Sequence, residues 1–225
     1  MTEAGQRGRD GTAARHRGQV LGTRKVPRAV REPQMLEVAG RTFAARGFHQ
    51  ASMDEIAVAA GISKPMLYNY FGSKEGLYFA YVDLSYRQIV AAIDEAVAEA
   101  ETAGEPPDRM LRVGVRAYYR YIGAHQDAFR VLFREMGDPG GKLAGQRHRL
   151  SRRVAAAIQA MLGPHAEGPA AQLSADALAE AFLGSARSLA DWWLDNPQVE
   201  ADTIADQLMD LMLTGLRGLG ATSPD

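Results

Sequence analysis

The stretch at residues 52–71, SMDEIAVAAGISKPMLYNYF, constrains the fold of this chain more than any other. Its spacing predicts two short helices joined by a tight turn. Ser52 caps the first helix, over residues 53–60, and Glu55 three residues on completes a capping box. Gly61 follows, at a position where a left-handed backbone costs glycine least. Ser63 caps a second helix, with Pro65 in the first turn, where a missing N–H does no harm. Ile56, Ala60, Ile62, Leu67 and Tyr70 share one buried side, and Ala57 is small where the second helix must cross closely. Lys64, Met66, Tyr68 and Asn69 are left facing outward, at the positions that meet a major groove when a helix-turn-helix docks. A helical hairpin that merely packs is the plain alternative; capping, turn glycine, small residue and apolar spacing agree against it.

These residues extend into a longer ordered string. Leu36-Glu-Val-Ala39, Phe43-Ala-Ala-Arg-Gly47-Phe48, Ser52-Met-Asp-Glu-Ile-Ala57, Ala60-Gly-Ile-Ser63, Leu67-Tyr-Asn-Tyr-Phe71 and Ser73-Lys74-Glu-Gly-Leu77 together resemble the DNA-binding region of the tetracycline-repressor (TetR) family of bacterial regulators. The resemblance covers about a fifth of the chain. The chain departs from it at Ala51, where the family often has threonine, and at Pro65 and Met66, where small residues are frequent; these departures bear on base preference, not on binding mode.

The chain has 225 residues, 46% of them hydrophobic, which is enough for a substantial core and against wholesale disorder. Alanine and leucine are abundant and β-branched residues sparse, so the expected class is all-α. No apolar run reaches membrane-span length, and the charged start lacks a signal-peptide core, so a cytoplasmic location is expected. With no cysteine, disulfides and thiolate metal sites are excluded. The formal net charge of −1 does not by itself suggest a DNA binder, but its distribution is uneven. Residues 1–31 carry eight Lys/Arg against two acids, whereas residues 32–80 are near neutral and 81–225 acidic. Residues 1–31 therefore read as a basic disordered arm, either seeking phosphates or the minor groove, or simply solvated.

Enzyme chemistry finds no constellation to support it. There is no Walker loop and no nucleophile elbow. The histidines, His16, His49, His125, His148 and His165, are not paired at metal-binding spacing. No cofactor or metal is expected.

A first helix is expected over residues 33–46, opened by Pro33 and stopped by Gly47, with Phe48 folding back. Ser73 caps a long helix running from Leu77 to about Glu101. Lys74 lies in its first turn, a poor place for a cation unless an anion lies there too, so a phosphate contact competes with an ordinary exposed lysine. Further helices are expected over residues 108–124, 126–136, 143–162, 174–195 and 200–219. Arg147, Arg149, Arg152 and Arg153 read as a solvated basic face or an anion site.

The resemblance implies an N-terminal three-helix helix-turn-helix DNA-binding domain at residues 32–80 and a C-terminal helical ligand-binding and dimerisation domain at 81–225. It implies a homodimer paired through the last two helices, binding a palindromic double-stranded operator and released by a small-molecule effector. Tyr68 and Lys74 would hold phosphates, with Ser52 assisting and Ser63 completing the DNA-facing set. Lys64 and Asn69 suit guanine and adenine edges respectively, and Pro65 and Met66 offer apolar contact. Tyr70 approaches the DNA backbone or belongs to the core. Candidate ligand-lining residues are Tyr118, Tyr121, Phe129, Phe133, Trp192 and Trp193, although residues of this type are more often plain core. A repressor is expected; an activator of the same fold and a helical protein-interaction module are the alternatives.

Overall fold

Three serines set the local structure at the N-terminal end of the computed structural model, which describes residues 27–133, 144–162 and 175–220. Ser52 Oγ accepts the Glu55 N–H at 3.1 Å, Ser63 Oγ accepts the Met66 N–H at 3.4 Å, and Ser73 Oγ accepts the Gly76 N–H at 3.0 Å. Each satisfies a donor that a helix start leaves without an intrahelical partner. The helices they open are α2 (Met53–Ala59), α3 (Lys64–Phe71) and α4 (Lys74–Thr102). Between α2 and α3 the chain turns at Gly61, whose φ of 65° lies in the left-handed region.

Ahead of them runs α1 (Arg28–Gln50). It starts five residues before the expected helix, so Arg28–Arg31 are helical and the inner edge of the expected arm is corrected. Residues 1–26 lie outside the described residues. The reason is local and tertiary. Arg28 pairs with Glu32 four residues on, at 2.9 Å, and the same turn packs against α3. Pro33 therefore sits inside α1 and not in its opening turn. The helix is interrupted at Gly47 (φ 73°), and Phe48 folds back to lie buried, its ring 6.0 Å from Phe43.

The described remainder is also helical: α5 (Pro107–Ala124), α6 (Gln126–Phe133), α7 (Ala144–Leu162), α8 (Ala175–Leu194) and α9 (Ala201–Gly220). The expected extension of α6 to residue 136, and the expected breaks around residues 137–141 and 163–169, lie outside the described residues.

Two cores organise these helices. The first gathers α1, α2, α3 and the near half of α4 around Phe43, Ile56, Leu67, Leu77 and Tyr78, all fully buried. Fully burying a leucine such as Leu67 is worth about 2 kcal/mol. At the α1–α4 crossing a Cβ on Gly40 would come within 2.2 Å of the Tyr81 ring, so any larger residue there would have to displace that ring. The second core packs α5, α7, α8 and α9 around Tyr119, Ile122, Ile158, Phe182, Ile204 and Met209. Helix α6 joins the two: Phe129 belongs to the second core, while Ala128 and Val131 belong to the first. The Tyr78 hydroxyl of α4 donates to the Val131 carbonyl at 2.9 Å in this junction. Tyr118 also packs against both cores.

An ion-pair seam fastens α5 to α9. Arg112, Arg116 and Arg120 stand one turn apart on α5 and face Asp202, Asp206 and Asp210 on α9. Arg116 holds Asp206 with two bonds of 2.9 and 2.6 Å, and Arg120 holds Asp202 in the same forked manner at 2.7 and 2.5 Å. Arg112 bridges Asp206 at 3.1 Å and Asp210 at 2.5 Å.

Candidate nucleic-acid interface and internal cavity

The sequence of α3 is short, proline-started and apolar on one side, so it stands on the first core with its other side in solvent. Leu67 is buried beneath it. Ser63, Lys64, Pro65, Tyr68 and Asn69 are exposed together on the outer side, and Ser52 is exposed at the neighbouring cap. Tyr68 shows 41% of its surface, unusual for a tyrosine without a partner surface.

Lys64 is already engaged. Its ammonium donates to Asp54 Oδ2 of α2 at 2.7 Å, and this bond raises its pKa above the ordinary lysine value. Glu55, expected to close the capping box, turns its carboxylate to Arg46 of α1 at 2.6 Å and so ties α2 to α1. Lys74 stands at the start of α4, with Nζ 3.1 Å from the His49 carbonyl and 4.7 Å from the centre of the Phe48 ring. That carbonyl, at the negative end of α1, relieves the unfavourable placement of a cation at a helix start. The ammonium keeps further donors for an anion on its outer side.

One expectation about α3 is corrected. Met66, predicted to face outward, is half-buried, with Arg31 Nη1 3.4 Å from its sulfur. Tyr70 is half-buried beneath the Arg28 guanidinium, which lies 4.8 Å from the ring centre. The first turn of α1 thus lies alongside α3, a relation that the sequence did not reveal. The i,i+4 spacing of Arg28 and Glu32 was its available signal.

Behind this face, α4, α5, α7 and α8 border a cavity of about 630 Å³ that opens to solvent. Its walls are mostly aliphatic: Ile89, Ile93 and Val97 from α4, Met110, Leu111 and Val115 from α5, Leu150 and Val154 from α7, Phe182 and Leu183 from α8. Of the six aromatic residues expected to line a ligand site, Tyr118 does so. Tyr121 instead hydrogen-bonds Gln88 at 3.0 Å and stacks on His125. Phe129 is core. Trp193 is core too, its indole N–H donating to the Val199 carbonyl at 2.7 Å. Trp192, on the opposite side of α8, is 50% exposed. The Phe133 side chain lies outside the described residues. Arg147, Arg149, Arg152 and Arg153 are exposed on α7; Arg153 pairs with Asp94, and both Arg147 and Arg153 border the cavity.

Among the described residues no group of three His, Cys, Asp or Glu side chains could hold a metal ion, and no helix is long and apolar enough to cross a membrane.

Comparison with known proteins gives two family matches. Residues 35–81 match the bacterial regulatory proteins of the tetR family, and residues 107–215 match the tetracyclin repressor-like C-terminal domain. The HTH-type transcriptional activator FasR of Mycolicibacterium smegmatis is 37% identical over 109 residues, 48% of each chain. The chain thus spans about half the length of that curated relative. A TetR-like transcriptional regulator from Rhodococcus sp. RHA1 has a solved structure that is 35% identical, with a TM-score of 0.70 over 86% of this chain and 100% of that one. The fold is shared with FadR from Bacillus subtilis, solved in complex with stearoyl-CoA, at 17% identity and a TM-score of 0.67 over 81% of this chain and 98% of that one.

Proposed function

The chain belongs to the TetR family of transcriptional regulators, DNA-binding helix-turn-helix proteins and not enzymes, and from that premise we propose that it is a ligand-responsive repressor. In this reading residues 32–80 bind DNA and residues 81–225 bind the effector and form a homodimer, all in the cytoplasm. Each α3 enters a major groove of a palindromic operator. Lys64 and Asn69 reach base edges, Pro65 and Met66 supply apolar contact, and Tyr68, Lys74, Ser52 and Ser63 hold the backbone, with Tyr70 beside them.

The observation that carries the reading is the cavity of about 630 Å³ walled in part by α4, the helix that begins beside α3. Its size suits a small molecule, and bundles commonly place ligands between helices. A ligand that binds one tilt of α4 better than another shifts the spacing of the two recognition helices; one that binds both equally shifts nothing. The dimer is supported by the outward faces of the last two helices, where Trp192 and Leu211 are 50% and 71% exposed. The activator reading has its own support in the likeness to FasR.

The test is fluorescence-anisotropy binding to DNA upstream of the chain's own gene, with excess random DNA, followed by transcription in vitro from that fragment. Saturable binding weakened at least tenfold by Tyr68→Ala, with fewer transcripts, supports the repressor. More transcripts select the activator. Binding with no preference over random DNA, across a genomic fragment library, removes the proposed operator function.

A further inference from the structure

Residues 27–80 hold six Lys and Arg side chains. Four of them face a carboxylate: Arg28 on Glu32, Arg41 on Glu37, Arg46 on Glu55 and Lys64 on Asp54. Lys74 and Arg31 have no carboxylate partner among the described residues. Lys74 is the lysine proposed above to hold the DNA backbone. Arg31 has no part in that reading, yet it lies directly against α3. Its one hydrogen-bonding contact among the described residues is the Met66 sulfur, 3.4 Å from Nη1. A thioether is a weak, uncharged acceptor, whereas a guanidinium carries five N–H donors in a fixed fork. Most of that fork, and all of its charge, is therefore left unbalanced by its surroundings.

The guanidinium is nonetheless held in place. Arg31 is half-buried. One turn earlier, Arg28 reaches the Tyr70 carbonyl at 3.5 Å and lies over the Tyr70 ring at 4.8 Å, so the first turn of α1 is fastened to α3 at two points. Because Arg28 meets Tyr70 and Arg31 meets Met66, Arg31 lies nearer the N-terminal half of α3, the half that meets base edges when such a helix docks. At 3.6 residues per turn, Met66 stands about 160° around α3 from Tyr68. Arg31 and Tyr68 thus flank α3 on opposite sides, with the exposed Pro65 and Asn69 between them.

We propose that Arg31 is a DNA-phosphate contact, seated on Met66 and gripping the backbone along the flank of α3 opposite Tyr68. A helix lying in the major groove has a sugar-phosphate strand on each side, and a fork of unbalanced donors suits phosphate oxygens. A side chain already fixed by packing also loses less freedom when it binds. This inference rests on reading α3 as the helix that enters DNA.

The test is fluorescence anisotropy with the full chain, on the fragment upstream of its own gene and on random DNA, each at three salt concentrations. Arg31→Gln is expected to weaken binding to both about tenfold and alike. It is also expected to make the log–log salt dependence shallower by roughly 0.9 for each subunit on the DNA. Arg31→Lys keeps the charge and is expected to restore the slope. Arg41→Gln removes an α1 cation that Glu37 already balances and is expected to leave the slope unchanged. An unchanged slope for Arg31→Gln, weakening on the upstream fragment alone, or an equal change with Arg41→Gln overturns the proposal. Weaker binding at an unchanged slope with a lower Tm, the sign of lost packing, overturns it too. If the unaltered chain prefers no genomic fragment yet binds random DNA with a slope that depends on Arg31, the phosphate contact stands and the operator reading falls. Specific binding that needs Tyr68 and is indifferent to Arg31 does the reverse. A chain that binds no DNA at all overturns both.

Discussion

The Lys64 ammonium is held by Asp54 in the DNA-free protein, so a phosphate or a guanine edge must displace that carboxylate. Both side chains are largely exposed, and exposed pairs exchange partners at little cost. In the proposed regulator, Asp54 would act on DNA affinity by withholding a cation from non-specific phosphates. Asp54→Asn is expected to raise affinity for random DNA severalfold and to steepen the log–log salt dependence by roughly 0.9, the signature of one more phosphate contact. Anisotropy titrations at three salt concentrations check this; an unchanged slope shows that Lys64 gains no phosphate. Residues of this kind show what sequence makes legible. The caps at Ser52, Ser63 and Ser73 were readable because a cap acts within four residues. The exposure of Lys64, Tyr68 and Asn69 followed from helical spacing. The half-burial of Met66 did not, because what covers it is Arg31, distant in sequence. Which aromatic residues border the cavity was hidden for the same reason. Aromatic residues drew attention by type, yet the relation of Trp192 to Trp193, one exposed and one buried, depends on rotation about α8.

At the scale of elements, the seam between α5 and α9 is the best-defined polar contact in the second core. The forked bonds from Arg120 and Arg116 hold the Asp202 and Asp206 carboxyls below the ordinary carboxylate range. A carboxyl with a lowered folded-state pKa stabilises the fold above its unfolded pKa, and that contribution fades as pH falls through the folded value. Arg116→Met removes two of the bonds to Asp206. With its partners about a third exposed and screened by solvent, the expected loss is about 1 kcal/mol, or a Tm lower by about 2–4 °C at pH 7. The difference between the two proteins should hold from pH 7 to about 5 and shrink below about 4, where the carboxylates protonate. Thermal melts across this range check it, and a gap that persists at the lowest pH assigns the stabilisation to packing of the arginine stem. The helices themselves were legible almost throughout, since their apolar periodicity and breaks are local. The early start of α1 was not, because the turn from Arg28 is stabilised by Tyr70 and Met66 across the fold.

For the whole molecule the question is assembly. Leu211 on α9 and Trp192 on α8 stay exposed, and a Cβ on Gly215 would meet nothing within 4 Å. Large apolar side chains left in solvent on the last two helices, and a glycine open to close approach, are features a second copy would cover. Leu211→Glu is expected to give a monomer at micromolar concentration by sedimentation and to weaken operator binding about 100-fold, the loss of a linked second half-site. A variant that remains dimeric and binds normally would place the interface elsewhere.

Helix α4 spans 29 residues, from Lys74 beside the recognition helix to Thr102 beyond the cavity. At 1.5 Å per residue it is a rod about 44 Å long. Pivoted near its far end, such a rod turns a 5° rotation into a displacement of about 4 Å at α3. In the proposed repressor, a ligand would need only a side chain's width of adjustment to spoil a half-site separation of about 34 Å. The leverage runs both ways. If a ligand releases the chain from DNA as proposed, operator DNA must weaken the ligand's hold by the same factor with which the ligand weakens the hold on DNA. Promoter occupancy then becomes part of the ligand's apparent affinity, and a chain resting on its operator is a less sensitive detector than one free in solution.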